Sequence, residues 1–277
     1  MTVPTSSLPP DRPALLRALV ALAGEAGDIV WDHFVGGCAV SAKADESPVT
    51  AADHEAEAAI LAGLAVHAPG VPVVAEEEAA AGRVPATGAC FFLVDPLDGT
   101  REFVARGDDF TVNIGLIEDG APTLGVVYAP ARSALYWGDT AAGEAWQAKR
   151  TPHGQTEAAE RITVRTPVDP PCAVASRNNG NPPTLAWLAA SGATECVSIG
   201  SSLKFVLIAS GEADVYPRPA PTMEWDTAAG DAVLRAAGGR VLDCDGAALA
   251  YGKPRFFNPG FLATGRFDPL PLRPFLA

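Results

Sequence analysis

Apolar residues recur at helical spacing in the first part of the chain. Between Pro13 and Phe34 this spacing predicts an amphipathic helix, with Pro13 tolerated near its first turn. A second, alanine-rich helix is predicted to begin at or near Asp53 and to extend to about His67. We expect the apolar faces of both helices to pack into a core.

Short apolar runs that end in acidic residues predict strands after these helices. Val71–Ala75 leads into Glu76, and Cys90–Val94 leads into Asp95-Pro96-Leu97-Asp98-Gly99-Thr100, which we expect to form a tight turn. Two hairpins are predicted from apolar runs at 110–117, 124–128, 134–137 and 144–146. The first half is therefore predicted to be helices followed by an antiparallel sheet.

The pattern changes after residues 150–160, which are polar and contain no apolar run. Strands are predicted at 162–164, 172–175 and 196–199 and near 241 and 261, and helices at 185–190, 203–211 and 223–237. This alternation indicates an α/β half. We predict two domains, 1–155 with the acidic motifs and 156–277 completing the active site.

Composition and charge limit the functional classes. The 277 residues are 48% hydrophobic and 19% charged, and no apolar run is long enough to span a bilayer, which is typical of a soluble protein. A net charge of −13 argues against nucleic-acid binding, because phosphates need Lys or Arg. The five cysteines are scattered and suggest neither a disulfide framework nor a zinc site. Residues 1–10 lack the features of a signal peptide, so we expect a cytoplasmic protein.

Four acidic residues stand at strand ends or at a helix start: Glu76, Asp95, Asp98 and Asp226. Carboxylates that share a pocket need cations to compensate them, and an all-oxygen set suits Mg²⁺ better than zinc. Two Mg²⁺ would balance four carboxylates, and a two-metal site performs in-line phosphoryl displacement by water. We therefore expect phosphate-ester hydrolysis.

Thr100 is a candidate for handling the proton of the attacking water if a partner relays it, and Asp53 is the nearest candidate by motif order. The sequence also permits purely structural interpretations of two of these acidic positions. The Asp95 motif also fits an ordinary Asx turn that caps a helix, and Asp226 also fits a helix N-cap.

Three motifs resemble the signatures of the inositol monophosphatase superfamily of magnesium-dependent, lithium-sensitive phosphatases. They are Glu76-Glu77 after a short strand, Asp95-Pro96-Leu97-Asp98-Gly99-Thr100, and Trp225-Asp226-Thr227-Ala228-Ala229-Gly230. The stretches at 43–53, 200–205, 216–218 and 257–261 are most similar to its CysQ branch, the 3'(2'),5'-bisphosphate nucleotidases. The resemblance implies a layered α/β (α+β) fold of the sugar-phosphatase type, an αβαβα sandwich.

The resemblance also implies the metal ligands. Glu76, Asp95 and the Leu97 carbonyl would hold one Mg²⁺, while Asp95, Asp98 and Asp226 would hold another; a weaker third ion through Glu76 stays open. Because three glutamates follow one another, Glu77 is the alternative ligand to Glu76.

For catalysis, the resemblance implies that Thr100, paired with Asp53, orients the attacking water, and that Gly99 and Thr100 backbone groups receive the phosphate being cleaved. Ser201, Lys204 and Arg218 match the positions that contact the second phosphate and the nucleoside. The full substrate-binding set expected is Glu76, Leu97, Asp98, Gly99, Thr100, Ser201, Lys204, Arg218 and Asp226.

We therefore expect Mg²⁺-dependent removal of the 3'-phosphate from 3'-phosphoadenosine 5'-phosphate, which yields AMP and serves sulfate assimilation. Action on the related 5'-phosphosulfate stays open. The alternatives are an inositol monophosphatase or related sugar phosphatase and, in another class, a regulatory protein that binds RNA polymerase or RNA. A monomer and a homodimer both fit, and attachment to the cytoplasmic face of the inner membrane is left open.

Overall fold

The computed structural model describes residues 11–37, 40–42, 48–175 and 181–276. The predicted motif at 43–53 therefore lies partly outside the described residues. The helices are α1 (Arg12–Gly36), α2 (Ala51–His67), α3 (Glu76–Ala80), α4 (Thr100–Val104), α5 (Pro182–Ser191), α6 (Leu203–Ala209) and α7 (Ala228–Ala236). The strands are β1 (Val40–Ala42), β2 (Pro48–Thr50), β3 (Val73–Ala75), β4 (Cys90–Asp98), β5 (Thr111–Glu118), β6 (Ala121–Ala129), β7 (Ala134–Asp139), β8 (Glu144–Lys149), β9 (Glu160–Ile162), β10 (Cys172–Ala175), β11 (Thr194–Ser198), β12 (Val215–Arg218), β13 (Thr222–Met223), β14 (Arg240–Leu242), β15 (Phe257–Asn258) and β16 (Phe261–Thr264).

The first two predicted helices are confirmed, and side-chain caps fix where they begin. Asp11 accepts a hydrogen bond from the Ala14 N–H at 2.9 Å at the start of α1. The Thr50 side chain caps α2. The Asp53 carboxylate in turn accepts a hydrogen bond from the Thr50 N–H at 2.8 Å, and the two contacts together form a capping box. Both helices bury apolar residues against one face of a seven-stranded sheet.

That sheet has the strand order β3-β4-β5-β6-β7-β8-β9. Both predicted hairpins are confirmed, and the first turns at Asp119 and Gly120, which both have positive φ as a tight hairpin turn requires. The prediction of a purely antiparallel sheet is wrong at β3, which pairs parallel to β4. The chain between them forms α3 and a long connection, which is enough to return to the same end of the sheet.

Helices α6 and α7 cover the other face of the seven-stranded sheet. Glycines on the sheet let α7 approach closely: a Cβ on Gly125 would lie 2.3 Å from the Ala229 carbonyl oxygen. The prediction that this helix starts at Met223 is wrong, because Met223 belongs to β13 and α7 begins at Ala228.

A five-stranded sheet, with the order β11-β10-β12-β16-β14, packs on the far side of α6 and α7, and α5 covers its outer face. The layers are thus helix, sheet, helix, sheet and helix, which confirms the predicted αβαβα sandwich. The strand predicted at 162–164 is found at 160–162 as β9, and it pairs with β8 in the first sheet. The domain boundary at residue 155 stays a prediction.

Two further features bear on the sequence-based expectations. Cys172 is disulfide-bonded, which the scattered cysteine positions did not predict, whereas Cys90 and Cys244 are free thiols. Within the described ranges, no helix combines the length and the apolar character that a membrane span needs.

Candidate active site

The end of strand β4 presents two aspartates on the same side of the chain. Asp95 pairs with Asn113 of β5 and Asp98 pairs with Thr111, so β4 carries one residue more than β5 between these pairs. Such a bulge shifts the alternation of side chains, and residues three apart then share a face. Asp95 is buried, and one of its oxygens accepts the Leu97 N–H at 3.0 Å. The acids therefore lie within the strand end and not in a turn beyond it.

Parallel pairing brings Glu76 to the same edge of the sheet. Ala75, the last residue of β3, pairs with Val94, the residue before Asp95. Glu76 is half-buried and lines a cavity of about 330 Å³ together with Leu97, the three aspartates and the start of α4. Glu77 does not line this cavity; it is buried, and its N–H donates to Glu57 at 2.8 Å.

Asp226 reaches this cavity from the turn that precedes α7. Its carboxylate accepts the Met223 N–H at 2.9 Å, and Asn258 donates to the Met223 carbonyl at 3.1 Å. These contacts hold the chain in a turn before the helix, which is why α7 begins later than predicted. The N-cap of α7 is Thr227, so Asp226 is not the helix cap.

The three aspartates of the cavity have raised pKa values. Burial and the neighbouring charges of Glu76, Asp98 and Asp226 hold the pKa of Asp95 well above its usual range. The pKa of Asp226 is raised in the same way, first by burial and then by Asp98 and Glu76. Burial raises the pKa of Asp98 to about 6, although Lys204 and the Ser202 N–H favour its ionised form. Such a set is stable in its ionised form only with cations nearby.

The chemistry of this donor set fits a hard divalent cation. The described residues that line it offer carboxylate oxygens and the Thr100 hydroxyl, oxygen groups of the kind that Mg²⁺ prefers, and include neither histidine nor cysteine. Among the residues that the structure describes, no three such side chains already stand at the spacing of a formed metal site. Each of the three aspartates instead has an oxygen that accepts a backbone N–H, at Leu97, Ser202 and Met223.

Thr100 and Asp53 meet beside the carboxylates. The Thr100 hydroxyl lies 3.3 Å from Asp53 Oδ1 and 3.1 Å from the Leu97 carbonyl oxygen, and its single proton can be donated to either acceptor. Thr100 begins α4 directly after Gly99, which has a left-handed φ of 91°. A Cβ there would lie 2.6 Å from the Asp109 carbonyl oxygen, so the close approach also requires glycine.

A second cavity, of about 170 Å³, adjoins the first and shares Asp98, Gly99 and Asp226 with it. Besides Asp226, it is lined by the other three predicted substrate-binding residues of the second half, Ser201, Lys204 and Arg218. The structure thus brings all predicted site residues to two adjoining cavities, with Asp53 joined to them through Thr100.

The positively charged Lys204 side chain of the second cavity is held in place by contacts with the protein. Lys204 is buried; its Nζ donates to the Ser201 carbonyl at 2.5 Å and lies 5.3 Å from the centre of the Tyr216 ring. Burial lowers the pKa of Lys204 to about 8. Ser201 Oγ is buried and has no hydrogen-bond partner among the described residues. A buried hydroxyl of this kind is available to an anion that enters the cavity.

Sequence reasoning missed several residues around these cavities. Arg101 and Glu102 line the carboxylate cavity, and Glu102 also lines the second one; their position directly after the Asp95 motif was the available signal. Glu57 accepts the N–H groups of Glu77 and Glu78, at 2.8 and 2.9 Å, and so caps α3. Its spacing of four residues from Asp53, on one face of α2, was the only local clue.

Comparison with known proteins places this site in a family. A model of the inositol monophosphatase family matches residues 11–267. A protein from Salmonella typhimurium named 3'(2'),5'-bisphosphate nucleotidase CysQ is 44% identical over 254 residues, covering 90% of this chain and 99% of the relative. The protein of the same name from Escherichia coli is 44% identical over 251 residues, covering 89% and 98%.

Solved structures agree with these sequence matches. CysQ from Bacteroides thetaiotaomicron, described as a bacterial member of the inositol monophosphatase family, is 34% identical with a TM-score of 0.78, covering 93% of this chain and 99% of the other. An inositol monophosphatase from Anabaena is 25% identical with a TM-score of 0.70, covering 91% and 90%. The family match spans both sheets and both cavities, and the chain belongs to the inositol monophosphatase family.

Proposed function

We propose that this protein is a Mg²⁺-dependent 3'(2'),5'-bisphosphate nucleotidase that removes the 3'-phosphate of 3'-phosphoadenosine 5'-phosphate and yields AMP. The observation that carries the proposal is the pair of adjoining cavities. One is lined by the four predicted metal-binding carboxylates together with Glu102, and the other by Lys204 and Arg218; Asp98 lines both. A substrate with two phosphates would present one to each. The proteins named as this nucleotidase, at 44% identity over nearly their whole length, support the assignment.

In this proposal the carboxylate cavity holds two or three Mg²⁺. Glu76, Asp95 and the Leu97 carbonyl would hold one ion, and Asp95, Asp98 and Asp226 another; Glu76 is preferred to Glu77 because only Glu76 lines the cavity. When bound, the ions would supply positive charge to the phosphate oxygens and lower the pKa of a water molecule.

Thr100 and Asp53 position the attacking water. With its proton donated toward Asp53 Oδ1, the Thr100 hydroxyl oxygen can accept a hydrogen bond from the water. As the water's proton moves to Thr100 Oγ1, the hydroxyl proton of Thr100 passes to Asp53 Oδ1, so the carboxylate takes up the proton that the water loses. The backbone of Gly99 and Thr100 lies at the same edge of the cavity, where the phosphate being cleaved would be received.

The second cavity binds the other phosphate. The Arg218 guanidinium can offer two parallel N–H groups to phosphate oxygens, and Lys204 adds a buried positive charge. Ser201 contributes the buried hydroxyl. Because these groups line the adjoining cavity and are not among the proposed metal ligands, they contribute binding and specificity, and the water attack occurs in the carboxylate cavity.

The proposal extends to partners and location. The partner is a small phosphorylated nucleotide and not a nucleic acid, because the chain carries a net charge of −13. We propose that the enzyme works in the cytoplasm, as a monomer or a homodimer.

The test is phosphate release from 3'-phosphoadenosine 5'-phosphate, adenosine 3'-monophosphate and inositol 1-phosphate, each with Mg²⁺ and with a chelator. We expect Mg²⁺-dependent turnover, with kcat/KM for the bisphosphate about a hundredfold above that for either monophosphate. A preference for inositol 1-phosphate would show that the proposed substrate is wrong but would leave the proposed metal site in place. No turnover of any of the three would favour a regulatory protein of this fold.

A further inference from the structure

Asp109 lies between the two loops that form the adjoining cavities. We call residues 98–100 the reaction loop and residues 199–204 the cation loop. The Asp109 carbonyl oxygen stands 2.6 Å from where a Cβ of Gly99 would be, and its own Cβ stands 2.8 Å from where a Cβ of Gly200 would be. Both glycines are therefore packed against this one residue, and no larger residue fits at either position without a shift.

The Asp109 side chain anchors the cation loop. It is fully buried, and its Oδ2 accepts the Gly200 N–H at 2.8 Å. Its Oδ1 accepts two N–H groups of Arg132, at 2.5 and 3.1 Å. Arg132 thus compensates the buried carboxylate and fixes its orientation, which leaves the other oxygen aligned on the backbone of the loop.

This anchor acts on the buried cation through the loop backbone. Lys204 Nζ lies 2.5 Å from the Ser201 carbonyl oxygen and 3.5 Å from that of Ile199, the two residues on either side of Gly200. A displacement of Gly200 would move both carbonyls and with them the lysine head. Ser201 has a left-handed φ of 49°, a conformation that a residue with a side chain adopts only when its surroundings hold it there.

We infer that Asp109 is a positioning residue for the second phosphate: through Gly200 it sets where the Lys204 charge stands relative to the reaction loop. The inference rests on the proposed function. Removing the Asp109 side chain leaves its backbone contact with Gly99 in place, so the reaction loop keeps its support. The loss should therefore fall on recognition of the second phosphate and not on cleavage of the first.

The experiment compares two substrates that differ only in the second phosphate, 3'-phosphoadenosine 5'-phosphate and adenosine 3'-monophosphate, with the Mg²⁺-loaded enzyme. We expect Asp109→Ala to raise KM for the bisphosphate about tenfold or more, the loss typical of a buried hydrogen bond to a charged group. For the monophosphate, kcat/KM should stay within about twofold of the wild type. Asp109→Asn keeps the side-chain volume and one acceptor, and we expect a smaller effect in the same direction.

Asp108→Ala is the matched control. Asp108 also pairs with Arg132, at 3.2 Å, but its side chain is 54% exposed and the contact to Gly200 is made by Asp109. We expect this variant to keep the wild-type ratio of the two substrates. Thermal melting of each variant identifies any that does not fold. If Asp109→Ala does not fold, the substrate ratio of Asp109→Asn is used to test the inference.

Equal losses on both substrates, or an unchanged ratio in Asp109→Ala and Asp109→Asn, would overturn the inference. The ratio of kcat/KM for the bisphosphate to that for the monophosphate in the wild-type enzyme distinguishes this outcome from failure of the proposed function. A wild-type enzyme without preference for the bisphosphate refutes the nucleotidase assignment itself, before any variant is compared.

Discussion

The Thr100 hydroxyl lies 3.3 Å from Asp53 Oδ1, across the gap between the start of α4 and the start of α2. The other Asp53 oxygen accepts both the N–H and the hydroxyl of Thr50, at 2.8 and 2.7 Å. One carboxylate therefore caps a helix with one oxygen and faces the candidate site with the other. The capping box fixes the acceptor that the Thr100 hydroxyl needs.

We predict that Asp53→Asn lowers kcat about a hundredfold or more, because the amide cannot take up the proton that the water loses through Thr100. Mg²⁺ affinity should remain near the wild-type value, since Asp53 is not among the proposed ligands. Phosphate-release kinetics and calorimetric Mg²⁺ titration measure the two quantities.

Glu55→Gln is the control for this variant, because Glu55 lies on the same helix with a side chain that is 61% exposed. A weakened cap would also cost stability, about 1 kcal/mol, so melting curves are measured in parallel. If Asp53→Asn retains wild-type kcat, the proposed role of the Thr100–Asp53 pair is wrong.

Local patterns predicted the elements well because they are encoded by nearby residues. The helices α1 and α2 and both hairpins follow from periodicity and from turn chemistry, whereas the order of layers was implied by the family resemblance. The predicted site residues also come together in the fold, since strand ends and helix starts meet at one edge of the sheet. Their individual roles stay predictions.

What the sequence could not predict depends on contacts between distant residues. The bulge at the end of β4 depends on the register with β5, and the late start of α7 depends on Asn258, which holds the chain near Met223 from 35 residues away. Asp109 and Gly200 are separated by 91 residues. No local pattern marks such partners.

Removal of Mg²⁺ should make the protein's stability depend on pH. The folded protein holds protons on Asp95, Asp98 and Asp226 at pH values where the unfolded chain has released them, because all three pKa values are raised. The stabilisation is complete below about pH 4 and is lost as pH rises through the folded pKa values. For Asp98, the rise in pKa from an ordinary 3.8 to about 6 corresponds to a loss of about 3 kcal/mol in the free energy of unfolding between low and high pH.

The measurement is thermal melting in chelator from pH 5 to pH 8, repeated with excess Mg²⁺. We expect the melting temperature to fall with pH in chelator and to recover with Mg²⁺, most strongly at the high end, where the carboxylates are ionised. Asp98→Asn should flatten the chelator curve. Parallel curves with and without Mg²⁺ would contradict a carboxylate metal site.

Lys204 should impose a pH limit on recognition of the second phosphate. Burial lowers its pKa to about 8, so the ammonium loses its proton as pH rises through that value. We predict that kcat/KM for 3'-phosphoadenosine 5'-phosphate falls above about pH 8, while adenosine 3'-monophosphate shows no such fall. Taking the ratio of the two substrates removes pH effects on the metal site and on the water.

Lys204→Arg tests the assignment, because a guanidinium stays charged throughout this range and should remove the fall. Arg161→Lys is the control, since Arg161 lies on β9, away from both cavities. The assignment is wrong if the substrate ratio keeps its wild-type pH dependence in Lys204→Arg.

Glu57 should support Mg²⁺ binding without touching the ion. Its two oxygens accept the N–H groups of Glu77 and Glu78 in the first turn of α3, the helix that begins at Glu76. Glu57→Ala leaves these donors without their acceptor, which we expect to cost about 2 kcal/mol of stability. Because α3 then loses its cap, Glu76 is held less firmly, and we predict about tenfold weaker Mg²⁺ binding by calorimetry.

Glu57→Gln separates the two roles of this side chain. Burial raises the pKa of Glu57 to about 7, so its neutral form is accessible near neutral pH and the amide is a close substitute for it. The glutamine keeps one acceptor oxygen, and its effect on Mg²⁺ affinity should be smaller than that of alanine. Glu55→Ala, on the same helix with an exposed side chain, should leave both stability and Mg²⁺ affinity unchanged. Wild-type Mg²⁺ affinity in a destabilised Glu57→Ala protein would show that Glu57 supports the fold alone and that Glu76 does not need a capped α3.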